Sequence, residues 1–94
     1  MCVSESSSSA ELTIKNRLGL HARAAAKLVR AAGEYQAEIR LIKNGETADA
    51  RSVLSLISLG CPYSTKVKIE AEGIDAQHAV AALSSIIEDR FGEE

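Results

Sequence analysis

The chain has 94 residues, a formal net charge of −2 at pH 7 and only 3% aromatic residues. It is long enough for one two-layer core but not for two. It lacks the aromatic platforms that stack single-stranded nucleic acid, and its acidic balance gives no general attraction to a phosphate backbone. No apolar run is long enough for a membrane span, the first residues lack a signal-peptide pattern, and Cys2 and Cys61 are too few for a disulfide framework or a zinc knuckle. The expectation is a cytoplasmic protein with reduced thiols and no nucleic-acid or membrane partner.

Residues 1–10, with consecutive serines from Ser6 to Ser9, are too polar to offset the entropy of ordering them and are expected to form a disordered lead-in. Residues 11–94 are expected to form a single domain. From Glu11, Leu12 and Ile14 alternate with Thr13 and Lys15 as a half-buried strand. After Gly19-Leu20-His21-Ala22-Arg23, an alanine-rich stretch predicts a helix over 22–32, stopped by Gly33. Ala22, Ala25, Ala26, Val29 and Ala32 are expected on its buried stripe, with Arg23, Lys27 and Arg30 together on the opposite face.

Ala37, Ile39 and Leu41 mark a second strand, and Asn44-Gly45 is a type I′ hairpin signal leading into a third strand over 46–50. Ser52 is placed as the N-cap of a short helix over 53–59, closed by Gly60 and Pro62. Leu56 and Leu59 are expected in the core, leaving Val53, Leu54 and Ile57 as an apolar patch for a partner. Thr65, Val67, Ile69 and Ala71 give a fourth strand. Asp75 then caps a helix whose Ala79, Val80, Leu83, Ile86, Ile87 and Arg90 have helical spacing, the apolar members facing inward. The order β-α-β-β-α-β-α predicts an α+β, open-faced two-layer sandwich: a four-stranded antiparallel sheet covered on one face by three helices.

The chemistry concentrates at His21. The first turn of a helix presents unpaired N–H groups and the positive end of its dipole, a natural phosphate cradle. An imidazole at that boundary is a nucleophile beside the cradle, and Arg23 adds a fixed positive charge. A histidine at a helix start can also be a plain cap, so the order of elements has to support the functional reading. Ser52 is a preferred cap in its own right. His78 is expected to be a solvated surface residue, and Cys61 a turn-packing one.

The His21 segment, the element order, Asn44-Gly45, and Arg51-Ser52 leading to Ser58-Leu59-Gly60 together resemble HPr, the histidine-containing phosphocarrier family of the bacterial phosphoenolpyruvate-dependent phosphotransferase system. The resemblance covers residues 11–91. It implies that His21 accepts a phosphoryl group, on Nδ1, from enzyme I, that Arg23 contacts the phosphate, and that enzyme II A-type domains receive the group. It also implies that Ser52 matches the serine phosphorylated in some members by HPr kinase/phosphorylase. The docking surface it implies comprises Ala22, Ala26, Lys27, Arg30, Val53, Leu54 and Ile57. No metal or cofactor is required, and the chain is expected to be a carrier, not an enzyme, and a monomer. Where many members have proline after the motif arginine this chain has Ala24, as in some nitrogen-regulatory members, so the branch stays open between sugar uptake and nitrogen regulation. The alternative is a regulatory interaction domain of the same fold, controlled at Ser52.

Overall fold

The computed structural model of the chain describes residues 6–93. Its elements are β1 (Ser7–Thr13), α1 (Ala22–Ala32), β2 (Glu38–Lys43), β3 (Glu46–Asp49), α2 (Val53–Leu59), β4 (Lys66–Glu72) and α3 (Ala76–Glu88), followed by a 3-10 turn at Arg90–Gly92. The strands form one antiparallel sheet in the order β1-β4-β2-β3.

Strict alternation along the strands sends Ile39 and Leu41 of β2, and Val67, Ile69 and Ala71 of β4, to the helix-covered face, where all are buried. The register stacks Leu41 and Ala10 on either side of Ile69. On the open face Arg40 lies 3.5 Å from Glu70, a half-buried surface pair of small energetic weight. The hairpin between β2 and β3 is formed as expected, with Asn44 at φ 50° and Gly45 at φ 82°.

Ser7 to Ala10, expected in the disordered lead-in over 1–10, instead form the start of β1. β1 begins at Ser7, because Ser7 to Ala10 pair with Glu72 to Ile69 and extend the β1–β4 pairing to the end of β4. Ser8 and Ala10 fall on the same side as Leu12, and small side chains suffice where α3 packs across β1. Backbone pairing therefore orders serines that bury little apolar surface. Residues 1–5 of the lead-in lie outside the described residues.

α1 spans the expected residues, but its buried stripe is rotated. Ala24, Ala25, Leu28 and Ala32 are buried, while Ala22 is exposed and Ala26 and Val29 are half-buried. Leu28 is the largest apolar side chain of the helix, and turning it inward carries Ala24 with it at i−4. α2 also matches its expected span, with Leu56 and Leu59 buried. Asp75 differs from expectation, because its side chain makes no cap hydrogen bond to α3. Its carboxylate instead accepts the backbone N–H groups of Gln36 and Ala37, each at 2.9 Å, fastening the start of α3 to the entry of β2. The Gln36 N–H and then the Ala37 N–H hold its pKa below the ordinary value.

Arg90 does not continue α3. The helix stops at Glu88, and Arg90 and Phe91 both adopt the left-handed region at φ 57°. This reversal drives Phe91 into the core, where it is 1% exposed. The segment after α3 is thus folded back over the helix layer, where it reaches the His21 loop.

Candidate functional site

The loop between β1 and α1 is built around Asn16 and Gly19. Asn16 is wholly buried, and its Nδ2 donates to the Gly19 carbonyl at 2.8 Å while the Gly19 N–H donates to the Asn16 carbonyl at 3.1 Å. Gly19 has φ 70°, and a Cβ there would lie 2.6 Å from the Cys61 carbonyl oxygen, so only glycine lets the loop pass so close to the turn after α2. The Leu20 N–H donates to that same carbonyl at 2.8 Å. Together these contacts set the chain direction into α1 and place His21 at its N-cap.

His21 has extended backbone angles, and its carbonyl accepts the first helical hydrogen bond, from Ala25 N–H at 2.8 Å. Its Nδ1 accepts the Arg23 backbone N–H at 3.3 Å. Its Nε2 lies 2.6 Å from Oε2 of Glu93, whose other carboxylate oxygen accepts Asn16 Nδ2 at 2.9 Å. Nδ1 accepts and so carries no proton, while Nε2 faces a carboxylate and so bears the ring N–H. Hydrogen bonds from Asn16 and from the His21 ring, with the nearby charge of Arg23, hold the Glu93 carboxyl below its ordinary pKa, so it is ionised at neutral pH.

The other expected site residues spread around this centre. Arg23 is exposed on the first turn of α1, and Ala22 is exposed beside it. Arg30 is exposed, whereas half-buried Lys27 is committed to the Phe91 carbonyl. The Ser52 hydroxyl caps α2 by accepting the Ser55 N–H at 3.1 Å. Leu54 is 75% exposed and Ile57 is 39% exposed. Val53 departs from that expectation: it is half-buried against the core, since the first residue of α2 leans toward the layer that Leu56 fills. The Arg51 guanidinium donates to the carbonyl of Ala32, the last residue of α1, and to that of Tyr35 just beyond it.

His78 is exposed, and Cys61 is a buried thiol whose pKa burial pushes up, partly offset by the charge of Lys43. Among the described residues no group of three or more His, Cys, Asp or Glu side chains could hold a metal, and no helix is long and apolar enough to cross a membrane.

Two members of the centre are absent from the sequence reading: Asn16 and Glu93. A buried asparagine just after a strand had a usable signal, since Asn favours side-chain bonds to nearby backbone. Glu93 had none, being 72 positions from His21. Exposed Leu18 and Tyr63 also flank the contact between the His21 loop and the turn after α2.

Comparison with known proteins places the chain in a family. Residues 8–89 match the family model described as the PTS HPr component phosphorylation site. The phosphocarrier protein HPr of Cupriavidus necator is 41% identical over 83 residues, covering 88% of this chain and 93% of that protein. The phosphocarrier protein NPr of Shewanella violacea is 39% identical, covering 88% of this chain and 91% of that one. The crystal structure of HPr-C-His from Thermoanaerobacter tengcongensis superimposes with a TM-score of 0.89 at 39% identity, covering 93% of this chain and 98% of that one. The chain belongs to the HPr family: it is an HPr- or NPr-type phosphocarrier of the phosphotransferase system, a carrier and not a catalytic enzyme.

Proposed function

We propose that His21 accepts a phosphoryl group on Nδ1 from phosphorylated enzyme I and passes it to enzyme II A-type domains in the cytoplasm. The observation that carries this reading is the Nδ1 contact with the Arg23 N–H at the start of α1. The unprotonated nitrogen already points at the helix end that would receive the phosphoryl oxygens. During transfer an oxygen of the group replaces Nδ1 as acceptor of that N–H, while the Arg23 guanidinium spreads charge from the other oxygens. Ala24, buried in the first turn, keeps helical geometry without the proline common in the family. The docking surface is the exposed face made by Ala22, Arg23 and Arg30 of α1 with Leu54 and Ile57 of α2, and Ala26, Lys27 and Val53 border it. Relatives of both HPr and NPr type support the carrier role, so the partners belong to the sugar-uptake or the nitrogen-regulatory branch.

A second reading rests on Ser52. Its hydroxyl lies at the end of α2 that carries Leu54, so a phosphoryl group there would set negative charge beside the docking patch. In this reading an HPr kinase/phosphorylase lowers the rate at which His21 is charged.

Incubation with phosphoenolpyruvate and enzyme I tests the acceptor. One acid-labile, base-stable phosphate should appear per chain. It should be lost in His21→Ala and retained in His78→Ala. Labelling that persists without His21 would exclude the assignment.

A further inference from the structure

We propose that Glu93 is a positioning residue for phosphoryl transfer, holding the His21 ring with Nδ1 presented and stabilising the positive charge the ring gains when the Nδ1–P bond forms. The inference rests on His21 being the acceptor. Its geometry is independent of that reading. The ring is held at both nitrogens, by a backbone N–H at Nδ1 and by a carboxylate 2.6 Å from Nε2. Both contacts select the same tautomer, with the proton on Nε2 and the lone pair on Nδ1.

Three elements bring Glu93 to that position. Phe91 is buried in the core after the left-handed step at Arg90 and Phe91. From α1, Lys27 Nζ donates to the Phe91 carbonyl. From the β1–α1 loop, buried Asn16 donates to Glu93 Oε1. A carboxylate fixed from the core, a helix and a loop is preorganised, so little reorganisation is needed as charge develops on the ring. The side chains of His21 and Glu93 are 24% and 17% exposed, which limits screening by water.

In the step itself the Nδ1 lone pair forms the bond to phosphorus. The bond from phosphorus to the donor atom breaks, and its electron pair stays with the donor. Nε2 keeps its proton, so the ring becomes cationic, with Glu93 facing its Nε2 edge and Arg23 facing the phosphoryl oxygens. Onward transfer reverses this: the N–P electron pair returns to Nδ1 and the ring becomes neutral. Glu93 therefore favours the charged intermediate without touching phosphorus.

The test compares wild type, Glu93→Gln and His21→Ala in the full chain, with phosphoenolpyruvate and enzyme I as phosphoryl source. Glutamine preserves shape and removes only the charge, and thermal melts check the fold. Loss of a charge-assisted contact should slow single-turnover phosphorylation of Glu93→Gln roughly tenfold or more. The second readout is hydrolysis of the phosphorylated protein against pH. A protonated ring is the better leaving group and the carboxylate favours that form, so the labile limb should extend to higher pH in wild type than in Glu93→Gln. A packing role would not move this profile. Phosphorylation within twofold of wild type, or a slower rate with an unmoved profile, would overturn the proposal. Persistent labelling of His21→Ala would instead overturn the acceptor assignment, so the two failures are distinguishable.

Discussion

Phe91 couples the core to the site, and truncating it should separate two opposing effects. Its ring is 1% exposed and its backbone sits at φ 57°. Phe91→Ala removes the ring and leaves a cavity that the surrounding core fills only in part, for a loss of about 3–5 kcal/mol. That is a large share of the roughly 5–15 kcal/mol that stabilises a domain. Alanine at φ 57° retains the left-handed strain of about 1–3 kcal/mol. Phe91→Gly loses the same ring but relieves that strain, so it should be at least as stable as Phe91→Ala. In ordinary helical or extended positions glycine is roughly 0.5–1 kcal/mol worse than alanine. Urea unfolding of the three proteins, with unchanged slopes, measures both differences. A Phe91→Ala cost below about 1 kcal/mol would refute the core role. A Phe91→Gly protein less stable than Phe91→Ala by a further ~1 kcal/mol would refute the strained backbone.

The Asp75 pKa is depressed in the fold, so its stabilisation is complete above its ordinary value of 3.8 and is lost as pH falls through the lower folded-state value. Asp75→Asn should therefore show a flatter loss of melting temperature on acidification, and identical acid limbs would contradict the two backbone contacts. Arg23→Ala should keep its melting temperature but slow phosphoryl transfer roughly ten- to a hundredfold, from a lost charge-assisted contact of ~1.5–3 kcal/mol. Wild-type rates in stopped-flow transfer would show that the helix end suffices alone. Ser52→Asp should melt at or slightly above the wild-type temperature, because an anion suits the start of α2, yet bind enzyme I more weakly in titration calorimetry. Leu54→Glu should weaken the same binding through the lost apolar contact. Wild-type affinity in both would remove this patch from the interface.

The element order was legible because each boundary carries its own local signal. Asn44-Gly45 takes positive φ as a type I′ turn demands, Ser52 caps α2, and Gly60 closes it in the left-handed region. The lead-in misled because serine has no periodicity of its own, and β1 gains its first residues from pairing with β4. The stripe on α1 misled because alanine occupies so many of its positions that periodicity alone does not choose a face. Leu28 chooses it. At the site, His21 and Arg23 were legible from spacing at a helix start. Glu93 was not, because it arrives through three positive-φ residues, Arg90, Phe91 and Gly92, of which only the glycine carries a local signal.

The most direct measurement is heteronuclear NMR of the protein uniformly labelled with 15N and phosphorylated by enzyme I, correlating phosphorus with the histidine ring nitrogens. We expect a single phosphorus coupled to Nδ1 of His21, with the proton retained on Nε2, as the contacts to Arg23 N–H and Glu93 dictate. Phosphorus coupled to Nε2 of His21, or found on any other residue, would contradict the account.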